Sequence, residues 1–151
     1  MTAAKASLAL VGVESDDSYR LQEQIGFVLR KAHQRHVAIF ASRIADLTPP
    51  QFAALARLHE VGEASQNQLG QMIAMDAATV KGVIDRLKSR GYVSVQKHDT
   101  DKRLLLVSLS AAGRNAVEEL IPLARTITEE TLAPLTAKEA AQFLRLLGKL
   151  A

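Results

Sequence analysis

No cysteine occurs among the 151 residues. Disulfides, thiol redox sensing and thiolate metal sites are therefore excluded together. The absence fits a reducing cytoplasm, which is the expected location. Tryptophan is also missing and aromatic residues make up only 4%, so a core has to be built from Leu, Ile, Val and Ala. Long apolar runs are lacking. Ala3–Val13 is too short to span a bilayer. Lys5 precedes the apolar stretch Ser7–Val13, but no small-residue cleavage site stands before Glu14. Residues 1–17 read as a loose N-terminal arm. There is no Gly-rich phosphate loop, nucleophile elbow or His-Glu metal motif, so no enzyme, catalytic residue or cofactor is expected.

What is present points to helices. The chain is 48% hydrophobic, enough to bury a core of one domain's size, and it leans on Ala, Leu, Gln, Lys and Arg, which lose little freedom in a helix. The net charge of +3 is mild and does not by itself mark a nucleic-acid binder. Its distribution is more informative. Between Lys81 and Arg103 seven basic residues face three acids, an excess of four. That one window carries the whole positive balance.

Apolar residues recur at helical spacing through Ser18–Ala45, which predicts one long helix. Thr48-Pro49-Pro50-Gln51 then combines a cap, a proline suited to a first helical turn and a capping-box partner. That helix stops at Gly62. Ser65 with Gln68 opens a short helix, roughly Gln66–Ile73. Asp76 caps a second, Ala77–Arg90, which Gly91 closes. Two helices joined by so few residues predict a helix-turn-helix. After Gly91 the period shortens to two in Tyr92–Gln96 and partly in Leu105–Leu109, around a polar tip. This predicts a two-stranded hairpin, the wing. Ser110 caps a further helix to about Thr131, which Pro122 is expected to kink or interrupt. Thr136 and Glu139 start a final helix striped with Ala140, Phe143, Leu144, Leu147 and Leu150. The expected class is mainly α with a small β-hairpin wing. Residues 47–109 would form a winged helix-turn-helix, and 18–46 with 110–151 a helical dimerisation region.

On Ala77–Arg90, Val80, Val83, Ile84 and Leu87 share one face. The opposite face carries Ala78, Gly82, Asp85 and Ser89, flanked by Lys81 and Arg86. A helix laid in a DNA major groove needs small residues at closest approach and long donors beside them. Gly82 costs the helix about 1 kcal/mol against Ala, a cost that close approach explains. Asp85 could accept from a cytosine amino group or orient Lys81 one turn earlier. On the wing, Lys97, Lys102 and Arg103 could reach the adjacent minor groove, with Asp101 holding the Arg103 guanidinium. The expected DNA-facing set is Ser65, Gln68, Ala78, Thr79, Lys81, Gly82, Asp85, Arg86, Ser89, Lys97, Asp101, Lys102 and Arg103. A basic helix face alone is often plain solvated surface, and an exposed ion pair is worth little. The order of capped helix, turn, helix, glycine, strand, basic tip and strand is the specific signal.

These residues resemble the MarR family of bacterial transcriptional regulators over roughly Leu21 to Leu150. The carriers are Leu47–Phe52, Asn67–Gly70, Thr79–Leu87, Arg90–Val93, and Asp101-Lys102-Arg103 followed by Val107–Ser110. The resemblance implies a homodimer with its first, fifth and sixth helices intertwined, Ala77–Arg90 as recognition helix, Arg103 in the minor groove, and repression of an inverted-repeat operator. Members often carry Arg or Lys where this chain has Val95, and the lack of cysteine separates it from the family's peroxide and hypochlorite sensors. Ile25–Phe40 is similar to a subgroup that represses aromatic-acid catabolism, including regulators that respond to hydroxynicotinate. A small aromatic carboxylate is thus the expected effector, with Tyr19, Arg20, Phe27, His33, His36 and Phe40 as candidate ligand residues. Packing or surface exposure is the plainer account of each. Two alternatives stand. One is a zinc-responsive regulator of the same fold, using His33 and His36 with His59 or Glu23. The other is a winged-helix module for protein contacts.

Overall fold

Five helices begin where a Ser, Thr or Asp side chain accepts a hydrogen bond from the backbone N–H three residues on. The caps are Thr48, Ser65, Asp76, Ser110 and Thr136. Each satisfies a donor that a helix start would otherwise leave open. Thr48, Ser65 and Thr136 complete reciprocal capping boxes with Gln51, Gln68 and Glu139. These features belong to a computed structural model that describes residues 18–151; the expected N-terminal arm, residues 1–17, lies outside the described residues.

The described residues divide into two units, one ending at His33 and one running Gln34–Ala151. In the first, Leu21–Glu23 forms a 3-10 turn. Helix α1 (Ile25–Arg43) starts only after it and continues past the boundary. The single long helix expected from Ser18 is therefore corrected. Gln24 is extended (φ −85°, ψ 134°) and breaks the helical ladder, and its side chain donates to the Arg20 carbonyl instead.

The second unit holds α2 (Pro49–Val61), β1 (Glu63–Ser65), α3 (Gln66–Met72), α4 (Ala77–Ser89), β2 (Val93–Lys97), β3 (Leu105–Leu109), α5 (Ala111–Leu132) and α6 (Ala137–Gly148). The strands form an antiparallel sheet in the order β1-β3-β2. Val95 lies opposite Val107, and Ala64 opposite Val107 on the other side. The expected wing had two strands. The third, β1, has only three residues, too few for an alternating pattern to register. Helix α2 packs on α3, α4, α5 and β3, and Leu55, Leu58, Leu69, Val80, Leu87, Val107 and Val117 are fully buried between these elements. The interruption expected at Pro122 does not occur, because α5 is one helix of 22 residues. Pro122 is exposed, so the carbonyl it fails to serve can be hydrated. The Thr126 hydroxyl donates to Pro122's own carbonyl at 3.2 Å. No described helix is long and apolar enough to cross a membrane.

Candidate nucleic-acid interface

Helix α4 divides as its sequence implies. Val80, Val83, Ile84 and Leu87 are buried, while Ala78, Thr79, Lys81, Gly82, Asp85, Arg86 and Ser89 are all exposed. The Lys81 ammonium donates to Asp85 at 2.9 Å. Asp85 therefore orients the lysine one turn before it. The Ser89 hydroxyl donates back to the Asp85 carbonyl at 3.0 Å. A methyl group added at Gly82 would meet nothing within 4 Å, so no neighbour inside the chain requires glycine there.

The helix is aimed from both ends. At its start the Asp76 carboxylate accepts from the Thr79 N–H at 2.7 Å. That backbone hydrogen bond, with the Thr79 side chain next, holds the Asp76 carboxyl below its ordinary value of 3.8. At its end Gly91 adopts φ +76°, a left-handed shape that suits glycine. The Tyr92 N–H then reaches the Leu87 carbonyl at 3.0 Å. The Arg90 guanidinium lies 5.3 Å from the centre of the Tyr92 ring and donates to the Asp46 carbonyl, tying the end of α4 to the loop before α2.

Ser65 and Gln68 sit at the start of α3. Ser65 is only 8% exposed and its hydroxyl accepts the Gln68 N–H, while the Gln68 side-chain oxygen accepts the Ser65 N–H. Ser65 is thus placed to aim α3 rather than to meet a large partner, whereas Gln68 remains exposed. A shallow cleft of about 120 Å³ lies between this helix start and the wing, lined by Ser65, Gln66, Asn67, Arg103, Leu104 and Leu105.

In the wing, Lys97, Lys102 and Arg103 are exposed. The Asp101 carboxylate accepts from both the backbone N–H and the side-chain Nε of Arg103, at 3.1 and 3.2 Å. The Arg103 side chain is 92% exposed yet held by two bonds at its base, the pose its spacing from Asp101 predicts. The root of the wing is pinned to α5. The Ser110 hydroxyl donates to the Gly91 carbonyl at 2.6 Å and the Ser110 N–H to the Tyr92 carbonyl at 3.0 Å. A Cβ built on Gly113 would stand 1.9 Å from the Tyr92 carbonyl oxygen.

Of the candidate ligand residues, Tyr19, Arg20, Phe27 and His33 belong to the first unit. Tyr19 and His33 are exposed, Arg20 pairs with Glu23 at 3.8 Å, and Phe27 lies under the Lys31 ammonium at 5.8 Å. His36 and Phe40 belong to the second. Phe40 is in the core, 5% exposed, its ring centre 6.2 Å from that of Phe52. The Thr131 hydroxyl donates to the Ile127 carbonyl at 2.8 Å and so accepts from His36 Nδ1 at 2.9 Å. Half-buried His36 therefore keeps Nε2 for another partner. Arg35 donates to the carbonyls of Glu130 and Thr131 at the end of α5. The zinc alternative does not gather its residues. His59 lies 3.3 Å from Glu118, and no three His, Asp or Glu side chains come together among the described residues. Sequence reasoning missed Arg35, Arg90 and, at the wing tip, His98. Arg35 and Arg90 act on carbonyls that only the fold brings near, and His98 acts on the amides of its own loop, where no motif assigns histidine that part.

Known proteins share this fold. The MarR family model matches residues 47–105. The HTH-type transcriptional repressor NicR of Pseudomonas putida is 40% identical over 134 residues, covering 87% of this chain and 85% of its own. A probable transcriptional regulator from Pseudomonas aeruginosa superposes with a TM-score of 0.85 at 50% identity, over 87% of this chain and all of the other. BpsR of Bordetella bronchiseptica, whose structure addresses regulation of its DNA binding by 6-hydroxynicotinic acid, gives a TM-score of 0.85 at 41% identity, over 88% of this chain and 96% of its own.

Proposed function

This chain belongs to the MarR family of transcriptional regulators, and on that premise we propose that it is a homodimeric repressor released from an inverted-repeat operator by a small aromatic carboxylate. Residues 47–109 act as the reading head, and 18–46 with 110–151 as the dimerisation region. Each subunit lays α4 in a major groove, with Gly82 and Ala78 at closest approach and Lys81 and Arg86 beside them. Arg103 enters the neighbouring minor groove, while Thr79, Ser89, Gln68, Lys97 and Lys102 serve the flanking backbone. Ser65, Asp85 and Asp101 orient these donors. The observation that carries the reading is the clean division of α4 into a buried aliphatic face and an exposed small-residue face, beside a wing whose arginine is exposed but braced.

The effector class is supported by BpsR and its 6-hydroxynicotinic acid. The test is a gel-shift titration on duplexes from the chain's own promoter region. Lys81→Ala and Arg103→Ala should each weaken binding by roughly ten- to a hundredfold, the range of a lost specific contact. Affinity should fall steeply with salt as phosphate contacts release counterions. Added 6-hydroxynicotinic acid should lower affinity for the parent protein. Two variants that bind like the parent would remove the reading head, and indifference to the acid would remove 6-hydroxynicotinic acid as the effector.

A further inference from the structure

The tip of the wing, residues 98–104, has no apolar side chain of its own until Leu104, so burial cannot order it. Hydrogen bonds take its place, three of them converging on one imidazole. His98 Nδ1 accepts from the Thr100 N–H at 3.2 Å and the Asp101 N–H at 3.1 Å, and lies 3.1 Å from the Thr100 hydroxyl. The His98 backbone N–H closes the loop on the Leu104 carbonyl at 3.0 Å, and Leu104 donates to the Asp101 carbonyl at 3.0 Å. Two backbone N–H groups can share that nitrogen only if it carries its lone pair. The ring proton therefore sits on Nε2.

We propose that His98 is the positioning residue of the wing: its Nδ1 gathers the Thr100 and Asp101 amides, and so fixes the carboxylate that braces Arg103. The chain of contacts is continuous. His98 sets the backbone of Asp101, and Asp101 holds Arg103 at its N–H and Nε. Histidine here does the work that Asn or Asp does in an Asx turn, accepting from amides two and three residues on. An arginine already restrained loses less freedom when it enters a groove. The inference rests on the wing being the arm that meets DNA, but its first consequence is readable without DNA.

The test uses the parent, H98A, H98N, R103A and the double variant H98A/R103A. In DNA-free protein, amide exchange at Thr100 and Asp101 should quicken in H98A and stay near the parent rate in H98N, whose side-chain oxygen restores the acceptor. The nitrogen-15 shift of the parent's Nδ1 should be that of an unprotonated ring nitrogen. Unchanged exchange in H98A, or a protonated Nδ1 at neutral pH, overturns the proposal. On operator DNA, H98A should cost roughly three- to tenfold in affinity, the size expected for an arginine left unrestrained. H98N should recover it, and the loss should vanish in the R103A background. An equal loss in both backgrounds would mean that His98 meets DNA itself, and overturns the positioning role. Should R103A bind like the parent, the wing reading fails alone and the exchange rates decide the role of His98.

Discussion

Ala74, in the turn between α3 and α4, has φ +57°. A side chain with Cβ is strained there by about 1–2 kcal/mol. Ala74→Gly should therefore raise stability by roughly 1 kcal/mol, read as a higher denaturant midpoint at fixed protein concentration; a lower midpoint would show that the turn has another shape. Gly82 presents the opposite case. Its backbone is helical and its surroundings open, so Gly82→Ala should stabilise α4 by about 0.5–1 kcal/mol. The same methyl group would stand between helix and base edges, so operator affinity should fall while stability rises. Affinity that holds or improves would move the contact face away from Gly82. The two positions also show what a sequence can disclose at this scale. The α4 face was legible because period and charge coincide there. Ala74 was not, since a left-handed turn usually announces itself with Gly or Asn. His98 was invisible because its role depends on loop geometry rather than on residue type.

At the scale of elements, the cap on α4 makes its orientation sensitive to acid. Hydrogen bonds from Thr79 depress the Asp76 carboxyl. A carboxyl depressed in the folded state stabilises the fold above its unfolded value and loses that contribution as pH falls through the folded one. The cap is thus complete at neutral pH and fades below about pH 4. Asp76→Asn can still accept the Thr79 N–H but cannot titrate. Its melting temperature should lie close to the parent's at pH 7 and fall less steeply below pH 4. Parallel acid profiles for the two proteins would show that Asp76 is not engaged. Helix starts were the most legible feature of the chain, because a cap is a short-range pattern of side chain and backbone. The three-residue β1 and the helix running through Pro122 were not, since tertiary pairing and solvent access decide them.

For the whole molecule, the telling feature is apolar surface that this single chain leaves exposed. Leu21, Ile25, Val28 and Leu29 near one end are exposed, as are Phe143, Leu144 and Leu150 near the other, and α6 buries none of its residues. Surface of this kind calls for a partner, and a second copy is the partner under the proposed function. Leu144 is 51% exposed, and in a twofold interface each substitution acts twice. Leu144→Glu should therefore weaken association by roughly 3 kcal/mol or more, over a hundredfold in dissociation constant. Sedimentation should show monomer at micromolar concentration, with operator affinity lost alongside; an unaltered dimer would place the interface elsewhere. The stripes that the proposed dimer would cover were legible in the sequence, while the burial of Phe40 in the core was not.

Where α5 crosses the wing root, Gly113 meets the Tyr92 carbonyl with no side chain between them. Side chains absorb small displacements by changing rotamer, and bare backbone has no such slack. A sideways displacement of α5 at this point would therefore press directly on the backbone of Tyr92, the residue that follows α4's closing turn. Under the proposed function, such a crossing would be a fulcrum without a cushion, passing a small shift of α5 to the end of α4.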